Sequence, residues 1–319
     1  MSERMLRLVV VGESLVDIVH RADGVVEETP GGSPANTALT LGRLGRHPTL
    51  ITRLAGDDRG GRVRRWLEES GVEVVAVASP RTSTAAAHLD ASGAASYEFD
   101  LEWDLGEGIA RLERLVSGAD VVHIGSVGAV LEPGAADVAH LVRSVRGRAI
   151  VTYDPNIRPS LVDDPDRVRR RIAELVELAD VVKASDEDLR WLHPGRDVVE
   201  TAREWATRGP RLVVVTLGSD GAIGVTADGE VAVPAVVVDV VDTVGAGDTF
   251  MGVLIDSIVG SDGLRAWLEG SGRSIRSSDI EALLERSALA AAITVSRPGA
   301  DPPRRVELAA PPVTHAAAW

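Results

Sequence analysis

The sequence predicts an α/β fold, a parallel sheet sandwiched by helices with a small β-hairpin unit attached. Between residues 110 and 217, short apolar runs alternate with helical patterns, the rhythm of a doubly wound sheet. Between residues 82 and 103 that rhythm breaks into two strands with no helix between them, a hairpin rather than a crossover. The strands between 120 and 217 also end in polar clusters, and ligands of such sheets collect beyond the strand C-termini.

Residues 6–11 form a continuous apolar run ending at Gly12, as a buried parallel strand does. Residues 13–19 follow, with Asp17 inside an otherwise apolar stretch. Ser33 is suited to cap a helix and Pro34 to open it; that helix passes Leu41 and Leu44 and stops at Gly45. Gly31 and Gly32 let the backbone come close to something in front of it. Thr49–Leu54 is a strand, residues 56–60 turn into a helix that stops at Gly71, and residues 72–78 are the next strand. In the hairpin, residues 84–89 and 95–99 are joined by 90–94, with Tyr97 and Phe99 on one face.

Strands at 120–125, 149–154, 180–183 and 212–217 end in polar clusters at 125–126, 154–158, 183–188 and 216–221. One such cluster is a loop; four in series on one rim indicate a site. Then come a hairpin at 222–234, a β-branched stretch at 235–241 read as a buried strand, and a helix at 249–259. A Gly/Ser-rich surface loop is expected at 260–278, a helix at 281–295, and a loosely packed tail from 304. No repeat or linker divides residues 1–319, which read as a single domain.

The chain has 319 residues, 45% of them hydrophobic, enough for a substantial core. A net charge of −14 argues against a nucleic acid or an anionic membrane surface as partner. No window approaches the ~20 apolar residues of a membrane span, and the first apolar run is too short for a signal peptide, so the expected location is cytoplasmic. The absence of cysteine excludes disulfides and thiolate-bound metals. Lys183 is the only lysine and follows Val182, so no Gly-Lys-Ser/Thr phosphate loop exists. Asp-Phe-Gly, His-Arg-Asp, His-Glu-x-x-His and Gly-x-Ser-x-Gly are all absent, and Gly12-Glu13-Ser14-Leu15 is not a dinucleotide fingerprint.

The densest chemistry lies at 242–250, Asp-Thr-Val-Gly-Ala-Gly-Asp-Thr-Phe. Gly245 and Gly247 fall in a turn into a helix, with Asp248 at its mouth. Such a mouth offers unpaired N–H groups and the positive end of the helix dipole, and glycines remove the Cβ between backbone and anion. A carboxylate there is either a cap or a base for a hydroxyl that attacks a phosphoryl group. The turn alone fits both.

This string resembles the second signature of the PfkB-type, or ribokinase-like, carbohydrate kinases, and the likeness runs through the whole chain, closest to bacterial fructokinases. The resemblance implies a ribokinase-like three-layer α/β/α sandwich with a small β-sheet lid, built from strands near 13–29 and 82–103. It makes Asp248 the base and residues Gly245, Ala246 and Gly247 the rest of the anion hole. It implies that Asp17 grips two sugar hydroxyls and that Gly31, Gly32 and Asn36 contact the sugar. Tyr97 and Phe99 would belong to a lid over the sugar, through which a homodimer forms.

Asp154-Pro155-Asn156-Ile157-Arg158 resembles the fructokinase and 2-keto-3-deoxygluconate kinase branch, with Asn156 near the phosphates and Arg158 near transferred phosphate or substrate. Lys183, Ser185 and Asp188 occupy the place of a motif tied to phosphate and metal, Asp188 toward Mg²⁺. Family members have Asn and Glu where this chain has Ser185 and Asp188, and ribose-specific members often have Lys where it has Ser33. Thr216, Gly218 and Gly221 resemble the nucleotide-side turn. Residues 296–303 resemble a turn near the adenine and a monovalent-cation loop, to which Asp242 is assigned as a K⁺ ligand. The implied cofactors are ATP, Mg²⁺ and K⁺. The implied reaction is phosphorylation of fructose at a primary hydroxyl, giving fructose 6-phosphate. The alternatives are 2-keto-3-deoxygluconate or a nucleoside as acceptor, or a sugar-binding regulator without catalysis, against which the intact Gly-Ala-Gly-Asp speaks.

Overall fold

The computed structural model describes residues 6–21, 23–89, 95–270 and 275–309. Its strands are β1 (Leu8–Val11), β2 (Leu15–His20), β3 (Val26–Gly31), β4 (Thr49–Leu54), β5 (Glu73–Ala78), β6 (Thr84–Leu89), β7 (Ala95–Asp100), β8 (Val121–Gly125), β9 (Ile150–Asp154), β10 (Val181–Ser185), β11 (Leu212–Thr216), β12 (Ala222–Thr226) and β13 (Gly229–Val233). Its helices are α1 (Ser33–Arg43), α2 (Asp58–Glu68), α3 (Ile109–Val116), α4 (Gly134–Val145), α5 (Pro165–Leu178), α6 (Asp186–Leu192), α7 (Val198–Ala206), α8 (Ala246–Val259), α9 (Asp262–Leu268), α10 (Ser277–Val295) and α11 (Arg305–Leu308).

The large sheet runs β13-β12-β11-β10-β9-β8-β1-β4-β5, parallel from β11 to β5 with the β12–β13 hairpin antiparallel at one edge. Central strands alternate between two cores. Val9, Val11, Val213 and Val215 join a cluster with α3, α4, α5 and α7, while Leu8, Val10, Leu212 and Val214 join one with α1, α2, α8, α9 and α10. That is why these strands read as unbroken apolar runs: both faces are covered. The small sheet, β3-β2-β6-β7, pairs the hairpin with the 15–31 segment, as expected of a lid. The hairpin tip at 90–94 lies outside the described residues.

Three expectations are corrected. The stretch 235–241 is not a buried strand: it joins no sheet, the Val241 N–H donates to the Val295 carbonyl, and Val237 is 97% exposed with Val240 and Val241 also exposed. The sheet ends at β13, and the Val241 N–H goes instead to Val295 at the end of α10, so tertiary context overrides β-branched propensity. The expected loop at 260–278 contains α9, which Ser261 caps and which buries Leu264, Trp267 and Leu268; residues 271–274 lie outside the described part. The tail begins with α11, where Arg305 donates to the Leu44 carbonyl and pairs with buried Asp256. Residues 310–319 lie outside the description.

Candidate active site

The carboxyl ends of β1, β9 and β10 and the first turns of α1, α6 and α8 converge, as crossover topology requires. Asp248 sits in the first turn of α8, 6% exposed. Its carboxylate accepts from Ser33 Oγ at 2.6 Å and Asn36 Nδ2 at 2.8 Å, with Asn156 Nδ2 at 3.3 Å. All three donors come from other segments, so Asp248 is not merely a cap for its own helix. Gly245 precedes α8 in the left-handed region at φ 76°, and a Cβ there would lie 2.6 Å from that of Ala300. Among the described residues no acceptor takes the N–H groups of Gly247 and Asp248, which is what an anion site at a helix mouth requires.

Lys183 lies directly beneath this turn, 3% exposed. Its ammonium donates to Asp154 Oδ2 at 2.7 Å and approaches the Gly247 carbonyl at 3.4 Å. A Cβ on Gly247 would stand 3.0 Å from Nζ. Burial pushes the ammonium down, but Asp154, Asp188 and Asp248 together raise it above its ordinary value, so it stays charged. Asp154 is lifted to about 6 by burial and by the other two carboxylates, against the pull of Lys183. One lysine thus serves three acids. Beside them His123 bonds Thr152, and burial with the nearby ammonium lowers it to about 3, leaving it neutral.

Ser185 and Asp188 form a capping box at the start of α6. The Asp188 carboxylate accepts from the N–H and hydroxyl of Ser185 and, at 2.7 Å, from the N–H of Ile157. Both oxygens are therefore engaged, and they anchor the loop that carries Asn156. Asn156 sits at φ 39°, and Arg158 Nη1 donates to its Oδ1 at 2.6 Å.

Asp17 belongs to β2, opposite Thr29 and Ala85. Burial raises it to about 6, with Arg158 pulling down and Asp248 pushing up, so the three groups share one field. A Cβ on Gly31 would come within 2.0 Å of Asp17 Oδ2, so any side chain there would displace the Asp17 carboxylate. Gly32, at φ 103°, is the N-cap of α1; Ser33 is its first residue and not the expected cap. Asn36 Oδ1 is buried with no donor. Phe99 is paired opposite Ala85, the neighbour of Asp17; Tyr97 pairs opposite Ala87, and its side chain lies outside the described part. Thr216 ends β11, and the turn that follows needs glycines: Gly218 has φ 57°, and a Cβ on Gly221 would lie 2.0 Å from the Val233 carbonyl. Asp242 accepts from the N–H groups of Val244 and Gly299, tying the 242–245 turn to the segment after α10.

Sequence reasoning missed Glu13. Burial raises its carboxyl to about 7, although it accepts from the Gly128 N–H at 2.8 Å and from Ser126. An acid immediately after the glycine that ends a buried strand was the available signal. Glu13, Asp17 and Asp154 have ordinary values of 4.5, 3.8 and 3.8 and are raised to about 7, 6 and 6. Between those values the folded chain binds more protons than the unfolded one, so stability from these groups grows as pH falls from about 7 to about 5. His123 and His193, both lowered, oppose this in the same range with fewer protons. The ligand-free protein should melt at higher temperature at pH 5.5 than at pH 7.5, and Glu13→Gln should flatten that slope. A melting temperature that rises with pH across this window would contradict the assignment.

Residues 5–306 match the pfkB family carbohydrate kinase. The chain belongs to that family. The kinase is 36% identical over 254 residues to a fructokinase of Rhizobium leguminosarum bv. trifolii, covering 77% of this chain and 78% of the relative. It is 33% identical over 254 residues to the fructokinase of Klebsiella pneumoniae, covering 77% and 82%. Among solved structures it superposes on the fructokinase with bound ATP from Xylella fastidiosa at a TM-score of 0.84, with 26% identity over 95% of this chain and 97% of that one. A ribokinase of Thermotoga maritima shares the fold at a TM-score of 0.74, with 24% identity over 95% and 98%. The fold is therefore ribokinase-like, and the protein is an ATP-dependent carbohydrate kinase.

Proposed function

We propose that this kinase transfers the γ-phosphoryl of ATP to a primary hydroxyl of fructose, giving fructose 6-phosphate. The observation that carries this is Asp248, buried and held by Ser33, Asn36 and Asn156 beside the unpaired N–H groups of Gly247 and Asp248. Asp248 takes the proton of the attacking hydroxyl, and the N–H groups of 245–248 hold the transferring charge. Phosphoryl transition states are loose, so this placement matters more than base strength. Arg158 faces the same charge, and Lys183 adds its field from beneath the turn. Thr216, Gly218 and Gly221 shape the nucleotide side.

Mg²⁺ neutralises phosphate charge when bound. Among the described residues no three acids or histidines form an ion cage. Asp188 is filled from within the chain, and Asp154 keeps one buried oxygen without a partner. Such a donor set fits an ion that arrives on the nucleotide and keeps its waters. Asp242, at the junction of two loops, would hold a monovalent cation. The Phe99 face of the small sheet would meet a second copy, and the reaction belongs in the cytoplasm, where ATP is supplied. No described helix is long and apolar enough to cross a membrane.

Fructose is favoured over 2-keto-3-deoxygluconate by charge. A sugar acid needs a cation to offset the desolvation of its carboxylate, and Asp17, Gly31, Gly32, Ser33 and Asn36 supply none. Arg158, whose charge reaches Asp17, is assigned to the transferring phosphate, and Arg81 is engaged by Asp100 and Glu102. With MgATP and a panel of sugars, ADP release should show the highest kcat/KM for fructose. A higher value for the keto acid would overturn the choice of sugar and leave the kinase reading intact.

A further inference from the structure

The hydrogen bonds that end on Asp248 run in one direction. Arg158 Nη1 donates to Asn156 Oδ1 at 2.6 Å, and Asn156 Nδ2 donates to Ser33 Oγ at 2.7 Å. The Ser33 hydroxyl then donates to Asp248 Oδ1 at 2.6 Å. Hydrogen bonds aligned head to tail polarise one another, and here a cation heads the chain and an anion ends it.

The backbone is shaped around this chain. Gly32 takes φ 103°, and a Cβ there would lie 2.7 Å from the Glu13 carbonyl; this places Ser33 inside the helix instead of at its cap. Its hydroxyl therefore does nothing for α1 and is committed to Asp248. Asn156 takes φ 39°, a conformation asparagine tolerates better than most residues, and Asp188 fixes the next N–H. Asp248 Oδ2 accepts only from Asn36, which leaves it as the oxygen for an incoming hydroxyl.

We propose that Ser33 and Asn156 are positioning residues, a one-way donor chain through which Arg158 sets the orientation of Asp248. The proposal rests on the reading of Asp248 as the base. Losing a hydrogen bond to a charged group at this point should lower kcat about tenfold in Ser33→Ala, with KM for sugar and ATP within about twofold. Ser33→Thr, which keeps the hydroxyl, should restore most of kcat. In an Arg158→Ala background the effect of Ser33→Ala should shrink, since the head of the chain is gone.

Ser33→Ala with kcat within twofold would overturn the proposal; so would a loss confined to KM, or effects of the two substitutions that simply add. If Ser33→Ala melts early, Asn156→Ala is read by the same kcat–KM split. Asp248→Asn, assayed alongside, separates the two claims. An inactive Asp248→Asn beside a normal Ser33→Ala removes the donor chain and keeps the base, whereas an active Asp248→Asn removes the base itself.

Discussion

Asp248→Asn should lower kcat by roughly 10²–10⁴-fold while fold and ATP affinity stay close to the parent. Asparagine keeps the size of the side chain but cannot take a proton, and its amide would face two donors, Ser33 Oγ and Asn36 Nδ2. One of these must turn away, a local cost that melting curves will show separately from the loss of rate. ATP affinity should be insulated, because the substitution leaves in place the ends of β10 and β11 and the backbone N–H groups to which the proposal assigns the nucleotide. A variant retaining most of its kcat would return Asp248 to the role of a helix-mouth carboxylate and remove the proposed mechanism.

Lys183→Met should give the largest loss of stability, about 3–5 kcal/mol at pH 8, because removing one partner of a buried ion pair strands the other. The stranded group is Asp154, whose Oδ1 already lacks a donor and whose neighbours Asp188 and Asp248 are negative. The sign with pH follows from the raised Asp154. Lowering the pH to about 5 protonates it and removes the unpaired charge, so the loss should shrink there. Asp154→Asn combined with Lys183→Met should recover much of the stability at pH 8 and little of the activity, since the cation beneath Gly247 is still missing. Urea midpoints at the two pH values read both effects. A Lys183→Met midpoint equal to the parent's at pH 8 would mean that the pair contributes nothing and that the three acids are not held by this lysine.

Much of this site is local and therefore legible in the chain. Two glycines and an acid between residues 245 and 248 specify a left-handed residue, a helix mouth and a carboxylate in its first turn. Unbroken apolar runs at β1 and β11, and the apolar openings of β8, β9 and β10, specify strands covered on both faces, and a hairpin of alternating residues specifies the small sheet. Local pattern failed where a neighbour distant in sequence decides. The segment 235–241 has strand propensity, yet the edge of the sheet belongs to β13. The stretch 260–278 has loop composition, yet Leu264, Trp267 and Leu268 find a core beneath α8.

What the sequence by itself determined is the set of chemical groups and the turns that present them: Asp248 at its helix mouth, the glycines at 31, 32, 245 and 247, and the polar ends of the strands. Only the tertiary structure decided what each group does. Ser33 reads as a cap and becomes a donor to Asp248, 215 residues away; Lys183 becomes the buried counter-ion of Asp154; Asp188 anchors the loop of Asn156; and Glu13 enters at all. Helix caps and turns are fixed by dihedral angles within a few residues. Hydrogen-bond partners across the rim depend on the order in which the strands lie side by side, which no local window contains.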